Sequence, residues 1–459
     1  MKNLYTLLLF ILTITFSHAQ WAGFNNSSGD GVWSNNANWA FPAGVTELAP
    51  NQAIDIYAGP ATATLDVDCT AKSLRIPGNK PESFTLTGDK KLTIDIASGS
   101  QANNANGAKA FSNESEAATT LTIDTDVTIA NTATIESFKG VSVFNVSGHP
   151  DSKIVLSADK TLEITGTGTS SFWGIGEIHL NGTITGNQGI LVGGGAGSGL
   201  LYLGSSTSDV SGFTGALTLA NNSELTLNSN GSSTISNAKV QQNGAVAKLT
   251  LERENVLTPN EIRVSSKGTQ AYVLNMFVNA NQTLGGIKIK GGGSTLNLNI
   301  DTSVASVVFA SNNANWNASA VINIIGYREG VVSFGGDNTG LNGGAYLANI
   351  RIDGAMPDGG EPLSLDENGK LVGAASLALS TGNNNGFEFL MYPNPVNDVL
   401  NIKSQEDIEN IEVLDLVGRT IISQNNGTNR FDVSSLNNGV YIVKLTSSQG
   451  VSTQRIIKE

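Results

Sequence analysis

Leu92-Thr93-Ile94-Asp95-Ile96 is the stretch that decides the fold, because apolar and polar residues alternate along it without interruption. Successive side chains of a β-strand point to opposite faces, so this period of two predicts a strand with one buried and one hydrated face. Further short strand-like runs, with turn residues between them, lie at 63–67, 73–76, 84–86, 121–123, 153–156, 161–164, 216–219, 224–227, 249–251, 296–300 and 321–324. The sequence therefore predicts an all-β protein.

The composition supports a chain of strands and turns. The 459 residues include 52 Gly, and only 14% of them are charged. Glycine adopts the positive φ angles that tight turns need, whereas Thr, Val and Ile favour pleated strands. Cys69 is the single cysteine, so an intramolecular disulfide is excluded and stability has to come from strand pairing and stacking. We expect Cys69 to be a small buried residue.

The monotony of the pattern favours a solenoid over a sandwich. The same short motif returns over most of the chain, with no helical segment between the copies. A sandwich of that length would divide into separate domains, whereas stacked rungs contact only their neighbours and bury a continuous apolar column. We predict a long right-handed parallel β-helix over residues 20–379, in preference to a string of β-sandwiches. No fixed repeat length is visible in the sequence.

The N-terminus has the order of a secretory signal peptide. Lys2 precedes an apolar run over residues 4–16 that is too short to span a bilayer, and the small residue Ala19 fits the cleavage rule. We predict that residues 1–19 are removed by cleavage between Ala19 and Gln20. No later stretch is long and apolar enough to cross a membrane, so we do not expect an integral membrane protein.

A second unit follows the Asn- and Gly-rich segment 380–389, which we interpret as a linker. Its landmarks, in chain order, are Tyr392, Pro393, Asn394, Pro395, Gly418, Arg419, Gly439, Tyr441 and Lys458. In this order they closely resemble the type A C-terminal sorting domain of the type IX (Por) secretion system of Bacteroidetes. The resemblance covers residues 390–459 and implies a small antiparallel, Ig-like β-sandwich. An ordinary Ig-like binding module is the alternative.

The resemblance also implies a route. The signal peptide would direct export through the inner membrane, and the type IX secretion machinery would carry the chain through the outer membrane. The protein would then be secreted, or held on the outer cell surface by a glycolipid after cleavage in the linker.

Three segments of the passenger resemble bacterial β-helix surface proteins. Residues 31–39 are similar to opening rungs, in which two tryptophans cap the open end. Residues 211–227 resemble the autotransporter-associated β-strand repeat, and residues 334–371 resemble the terminal segment of such proteins. These resemblances imply a solenoid at the cell surface.

Charge excludes nucleic acid as a partner, because the formal net charge is −13 and no cluster of Lys and Arg occurs. Two carboxylate pairs are the best candidates for chemistry: Asp66 with Asp68, and Asp124 with Asp126. An i,i+2 pair on one strand face can bind Ca²⁺ or act as acid and base on a glycan. Their positions, where a strand meets a turn, favour solvated carboxylates instead. The sequence predicts no other cofactor.

Histidines and tryptophans give weaker signals. His149 and His179 are interpreted as surface residues and not as general bases. Exposed tryptophans could stack on sugar rings, but capping and core packing explain them equally well. The four tryptophans considered are Trp33, Trp39, Trp173 and Trp316.

Two functions from different classes remain. The first is a non-catalytic secreted or cell-surface protein, adhesin-like or matrix-like, whose Thr/Asn-rich face meets glycans such as extracellular polysaccharide. The second is a secreted polysaccharide lyase or glycoside hydrolase on a β-helix scaffold. We favour the first, because no ordered cluster of Asp, Arg, Lys and His stands out as catalytic.

Overall fold

The computed structural model divides the chain into two compact units, residues 1–377 and 378–459. The residues that the structure describes are 21–41, 46–47, 52–56, 62–95, 108–131, 141–166, 169–193, 199–220, 222–229, 240–242, 246–257, 261–264, 271–310, 315–317, 319–354, 363–373, 389–392, 396–404, 407–415, 419–425, 430–448 and 450–458.

The first unit consists almost entirely of short strands. In chain order they are β1 (Trp21–Phe24), β2 (Trp39–Ala40), β3 (Gln52–Ile56), β4 (Thr62–Thr64), β5 (Cys69–Ile76), β6 (Phe84–Asp95), β7 (Ala108–Asn113), β8 (Thr120–Asn131), β9 (Val141–Val146), β10 (Lys153–Leu156), β11 (Thr161–Gly166), β12 (Thr169–Gly174), β13 (Glu177–Leu180), β14 (Thr183–Gly186), β15 (Gly189–Val192), β16 (Leu200–Leu203), β17 (Leu217–Leu219), β18 (Ser223–Leu227), β19 (Val240–Gln242), β20 (Val246–Leu251), β21 (Glu261–Val264), β22 (Val273–Val278), β23 (Gln282–Leu284), β24 (Gly286–Ile289), β25 (Thr295–Ile300), β26 (Val307–Phe309), β27 (Asn315–Trp316), β28 (Val321–Ile325), β29 (Val332–Phe334), β30 (Ile350–Ile352), β31 (Ser364–Leu365) and β32 (Leu371–Val372). The helical elements described are the 3₁₀ turns Asn36–Asn38 and Leu347–Asn349 and the single turn Gly340–Gly343.

The strands stack in parallel on three faces, which defines a parallel β-helix. Face A contains β4, β6, β8, β10, β13, β16, β18, β20, β22, β25, β28 and β30, each paired with the next. Face B contains β1, β3, β5, β7, β9, β12, β15, β17, β19, β21, β24 and β27. Face C contains parts of β5, β6 and β8, then β11 and β14, and later β23, β26 and β29. The predicted all-β solenoid is confirmed, and its right-handed winding stays a prediction.

One inward column shows how the solenoid builds its core. Its members, each in register with the next, are Ala63, Leu86, Ile123, Leu156, Leu180, Leu203, Leu227, Leu251, Val278 and Ile300. All of them are buried. Leu180 and Leu203 lie 23 positions apart, whereas Leu86 and Ile123 lie 37 apart. Only the face strands have to keep register, so loops between them absorb the difference and no single repeat length holds along the whole solenoid.

The corner between faces A and C lies within a continuous strand in the early rungs. Residues 84–86 and 92–96 were predicted as separate strands, but β6 runs continuously from Phe84 to Asp95 and bends at a register shift between Thr87 and Lys91. Gly88 lies in this bend with φ of +147°, and a Cβ there would be 2.4 Å from the carbonyl oxygen of Leu65. Glycine lets the chain turn this corner without breaking the ladder.

Aromatic side chains fill the N-terminal end of the solenoid. The Trp33 ring stacks on Phe24 at 5.6 Å and meets Trp39 edge-on at 4.7 Å. Trp33, Trp39 and Trp316 are buried, and Trp173 is half-buried. Of the two explanations that the sequence left open, packing and not an exposed platform for sugars therefore accounts for the first three. An end rung lacks one neighbour, and large aromatic rings cover its apolar column.

The second unit is a small antiparallel sandwich. Its strands are β33 (Phe389–Tyr392), β34 (Val399–Ser404), β35 (Ile408–Leu414), β36 (Thr420–Asn425), β37 (Arg430–Asp432), β38 (Gly439–Ser447) and β39 (Gly450–Lys458). They form a three-stranded sheet, β33-β34-β37, and a four-stranded sheet, β36-β35-β38-β39. Leu400 and Phe431 of the first sheet share one core with Val413 and Val443 of the second. The predicted antiparallel sandwich is confirmed.

Candidate functional site

The ends of the C-terminal unit meet at one edge of the four-stranded sheet. Lys458, the last residue of β39, pairs with Gly439, the first residue of β38. Val396 forms a parallel bridge to Lys458, and its amide donates to the carbonyl oxygen of Ile457 at 2.8 Å. Tyr392 ends β33, where it pairs with Asn401 of β34. The first and last landmarks of the unit therefore stabilise its strand ends.

Two further landmarks close turns. Both the amide and the guanidinium of Arg419 donate to the Asp415 carboxylate, at 2.9 and 2.7 Å. This contact holds the connection between β35 and β36. The hydroxyl of Tyr441 donates to the carbonyl oxygen of Asn437 at 3.0 Å, before β38 begins. The first contact lies in the β35–β36 hairpin, and the second lies where the chain crosses from β37 of one sheet to β38 of the other.

The remaining sequence-predicted residues lie outside the part of the chain that the structure describes. They are Ala19, Gln20, Pro393, Asn394, Pro395 and Gly418. The signal cleavage site therefore stays a prediction.

A β-solenoid followed by a small C-terminal sandwich is the organisation of a passenger joined to a C-terminal domain. The C-terminal domain can be assigned to a family, because residues 390–459 match the family model of the secretion system C-terminal sorting domain. No match was found among curated proteins or solved structures. The sorting domain implies handling by the type IX machinery, and the protein is exported to the cell surface or extracellular space. Among the described residues, no helix has the length and apolarity needed to cross a membrane.

Face A of the solenoid carries two outward columns of side chains, which we call the outer ladder. One column contains Lys153, Glu177, Leu200, Glu224, Lys248, Asn275, Asn297 and Asn323. The other contains Val155, His179, Tyr202, Thr226, Thr250, Phe277 and Asn299. Adjacent strands of a sheet lie about 4.8 Å apart, so side chains on neighbouring rungs are in reach of each other.

The middle of the outer ladder combines charges with an aromatic pair. Glu177 Oε2 lies 2.6 Å from Lys153 Nζ and 2.8 Å from His179 Nε2. The His179 ring stacks on Tyr202 with a centroid distance of 4.3 Å and an interplanar angle of 5°. Partial burial opposes ionisation of Glu177, but hydrogen bonds from Lys153 and His179 lower its pKa overall. Burial, with Glu177 and Glu224 nearby, raises the pKa of Tyr202.

Toward the C-terminal end, the outer ladder becomes an amide ladder. Asn297 Nδ2 donates to Asn275 Oδ1 at 2.8 Å, and Asn323 Nδ2 donates to Asn297 Oδ1 at 3.2 Å. One rung before this ladder, Lys248 pairs with Glu224 at 3.1 Å and lies over the Phe277 ring at 5.3 Å. Every carboxylate of the two columns is thus held by a cation of an adjacent rung.

The predicted carboxylate pairs connect rungs. Asp66 accepts hydrogen bonds from the amide and hydroxyl of Ser34, and Asp68 accepts one from the Lys91 amide at 2.9 Å. Partial burial opposes ionisation of Asp66, but the Ser34 hydrogen bonds lower its pKa overall.

The second carboxylate pair, Asp124 and Asp126, also accepts hydrogen bonds from neighbouring rungs. Asp124 accepts from the Thr87 hydroxyl and Asp126 from the Thr161 amide, each at 2.8 Å. Asp68 and Asp126 are exposed, as predicted for solvated carboxylates, whereas Asp66 and Asp124 are half-buried, and all four also connect neighbouring rungs. Within the described ranges, no group of three or more Asp, Glu, His or Cys could hold a metal ion.

The histidines occupy two environments. His149 lies in a turn, where its Nδ1 accepts a hydrogen bond from the Asp151 amide at 3.1 Å. His179 faces outward from β13 in the outer ladder. Sequence reasoning missed the contact of His179 with Tyr202. A signal was present, because Glu177-Ile-His-Leu180, Leu200-Leu-Tyr-Leu203, Glu224-Leu-Thr-Leu227 and Lys248-Leu-Thr-Leu251 recur every 23 or 24 residues.

Asp66→Asn is expected to destabilise the protein by about 1 kcal/mol at neutral pH, because it removes a charged acceptor from the Ser34 contact. The folded-state pKa of Asp66 is lowered, so its contribution is present above the unfolded pKa of about 3.9 and is lost as pH falls through the folded pKa. Guanidinium unfolding at pH 7 and pH 3 measures the difference between variant and wild type, which should shrink at pH 3. Asp89→Asn, on an 85% exposed side chain, is the control. An equal loss at both pH values would contradict the role of the Asp66 charge.

Proposed function

We propose that the mature chain, beginning at Gln20, is a non-catalytic surface or extracellular protein of the adhesin or matrix type. Residues 20–379 would form the passenger, joined by the linker 380–389 to the sorting domain 390–459. Cleavage in the linker would leave the passenger attached to surface glycolipid or release it. The passenger would present the outer ladder of face A to extracellular polysaccharide.

The pairing of the carboxylates is the observation that carries this proposal. A catalytic acid or base needs a carboxyl group that is free to exchange a proton with substrate. Glu177 and Glu224 instead hold Lys153 and Lys248 on adjacent rungs. The asparagine amides offer donors and acceptors along the helix axis, and Tyr202 and Phe277 offer apolar surface. Such a mixture suits the hydroxyls and C–H faces of a neutral glycan.

The test is retention of the purified mature protein on insoluble cellulose, chitin and xylan, with reducing ends measured in the supernatant. We expect retention on at least one polymer without new reducing ends. Tyr202→Ala should weaken retention by roughly threefold to tenfold, since it removes an aromatic contact surface. Thr93→Ala, on face C, is the matched control and should bind as wild type. The proposal fails if no polymer retains the protein, or if the control loses as much.

A lyase or hydrolase is the alternative, and one observation favours it. Glu177 and Glu224 lie two rungs apart in one column, about 10 Å by the strand spacing, which is near the separation of paired acids in inverting glycosidases. Reducing ends that appear with wild type and disappear with Glu177→Gln would establish this function in place of the first.

A further inference from the structure

The four-stranded sheet of the C-terminal unit has one face in the core of the sandwich and one face in water. On β38, the side chains of Val443 and Leu445 are buried in the core that the two sheets share. Ile442 and Lys444 alternate with them, so their side chains point outward. The outward face of an antiparallel sheet is normally polar, because it remains hydrated.

One half of this outward face is polar, as expected. Lys444 Nζ lies 2.9 Å from Glu412 Oε2 of β35. Ser423 of β36 pairs with Glu412, and Thr453 of β39 pairs with Lys444. Thr446, the next outward residue of β38, continues this half. Paired charges and hydroxyl groups are readily hydrated, so this half of the face is stable in water without a partner.

The other half of the outward face is apolar. Ile442 pairs with Leu414 of β35, and Val440 pairs with Ile457 of β39. We call these four residues the apolar patch. Val440 is 36% exposed, and the other three are half-buried. Ile421 occupies a bulge of the edge strand β36 without a register partner in β35, and it is not counted in the patch. A cluster of apolar side chains on a face that is otherwise hydrated marks an interaction site.

The apolar patch lies beside the point where both ends of the C-terminal unit meet. The carbonyl oxygen of Ile457 accepts a hydrogen bond from the amide of Val396 at 2.8 Å, where the chain enters this sheet. Val440 follows Gly439, which pairs with Lys458 near the C-terminus. The passenger is attached through the entering end of the unit. A partner bound to the patch would therefore hold the protein next to that attachment.

The size of the patch favours a transient partner over a second copy of the chain. A stable protein–protein interface takes about 20–30 residues from each side. The patch instead offers four apolar side chains bordered by the Glu412–Lys444 ion pair, which resembles a small interface core with a polar rim. A secretion machinery has to bind its cargo and then release it, and a small contact suits that task. The match of residues 390–459 to the sorting domain identifies such a machinery as the partner of this unit.

We propose that the apolar patch is the surface by which the type IX machinery recognises the sorting domain. The surface that it meets on the machinery is apolar and uncharged, because a charge placed against the patch would lose hydration without gaining a partner. The proposal rests on the sorting-domain match and not on the binding of polysaccharide. Either can therefore fail without the other.

The experiment follows pulse-labelled full-length chain from the periplasm to the surface or medium, in a bacterium with the type IX system. Ile442→Glu should slow export at least about tenfold, because the new carboxylate would have to be desolvated in the contact. In the free protein that carboxylate lies opposite Arg455 and beside Lys444, so the sandwich should remain folded. Limited proteolysis of the purified full-length chain checks the fold.

A second variant keeps the β-branched shape of the side chains. Val440→Thr combined with Ile442→Thr should slow export roughly threefold to tenfold, and it decides the question if Ile442→Glu proves protease-sensitive. Thr446→Glu, an outward position in the polar half of the same strand, is the matched control and should be exported as wild type is.

The proposal is overturned if folded patch variants are exported at the wild-type rate, or if Thr446→Glu slows export as much as Ile442→Glu. It is also overturned if the wild-type protein is a dimer in size-exclusion chromatography that Ile442→Glu converts to a monomer while export continues. That result would assign the patch to a second copy of the chain.

Discussion

Deletion of residues 390–459 is expected to keep the protein inside the cell envelope, while the full chain reaches the surface or the medium. The deleted residues match the secretion system C-terminal sorting domain and have their own hydrophobic core, separate from that of the solenoid. Their removal should therefore leave the solenoid folded but without its route through the outer membrane. Cell fractionation and mass spectrometry in a bacterium with the type IX system measure the location of each chain. We expect nearly all of the truncated chain in the periplasm.

A core variant separates loss of the sorting fold from loss of chain length. Leu400 is fully buried in the sandwich, and Leu400→Asp places an unpaired charge in its core, so it should block export as deletion does. Ile421 is 48% exposed, and Ile421→Ser should be exported normally. Export of the truncated chain at the level of the full chain would mean that the C-terminal unit is a binding module.

Much of the fold could be predicted from the sequence because local alternation fixes which side chains are buried. In the sandwich, alternation over 412–416 and 441–445 predicts two core strands, and the structure places β35 at Ile408–Leu414 and β38 at Gly439–Ser447. The ends shift because cross-strand pairing, and not local pattern, decides where a strand stops. Gly439 thus begins a strand, although a glycine just ahead of the alternating run 441–445 predicts a turn.

The contacts between rungs could not be predicted in the same way. His179 meets Tyr202 only because β13 and β16 pair in one register across 23 residues, and a shift of one residue in either strand would turn its aromatic side chain inward. Rungs in the earlier part of the chain have a different length, since Leu86 pairs with Ile123, which lies 37 positions later. The pairing register of those rungs therefore cannot be recognised from a motif that recurs at a constant spacing.

Leu225→Ala is expected to destabilise the solenoid by about 3–5 kcal/mol, in the range of buried leucine truncations. Leu225 is fully buried in β18 and pairs with Leu201 on one side and Leu249 on the other. The side chains of both neighbours are fixed by their own strands, so they cannot collapse into the space that the leucine leaves.

Thr226→Ala, one residue later on the same strand and facing outward, keeps the ladder and should cost less than about 1 kcal/mol. Guanidinium unfolding of the two variants, followed by far-ultraviolet circular dichroism, compares them directly. Each rung of a solenoid is stabilised by its contacts with the neighbouring rungs, so Leu225→Ala should lower the denaturant midpoint of the main unfolding transition. Equal effects of the two substitutions would show that Leu225 does not lie in an apolar column, and the register of face A would have to be revised.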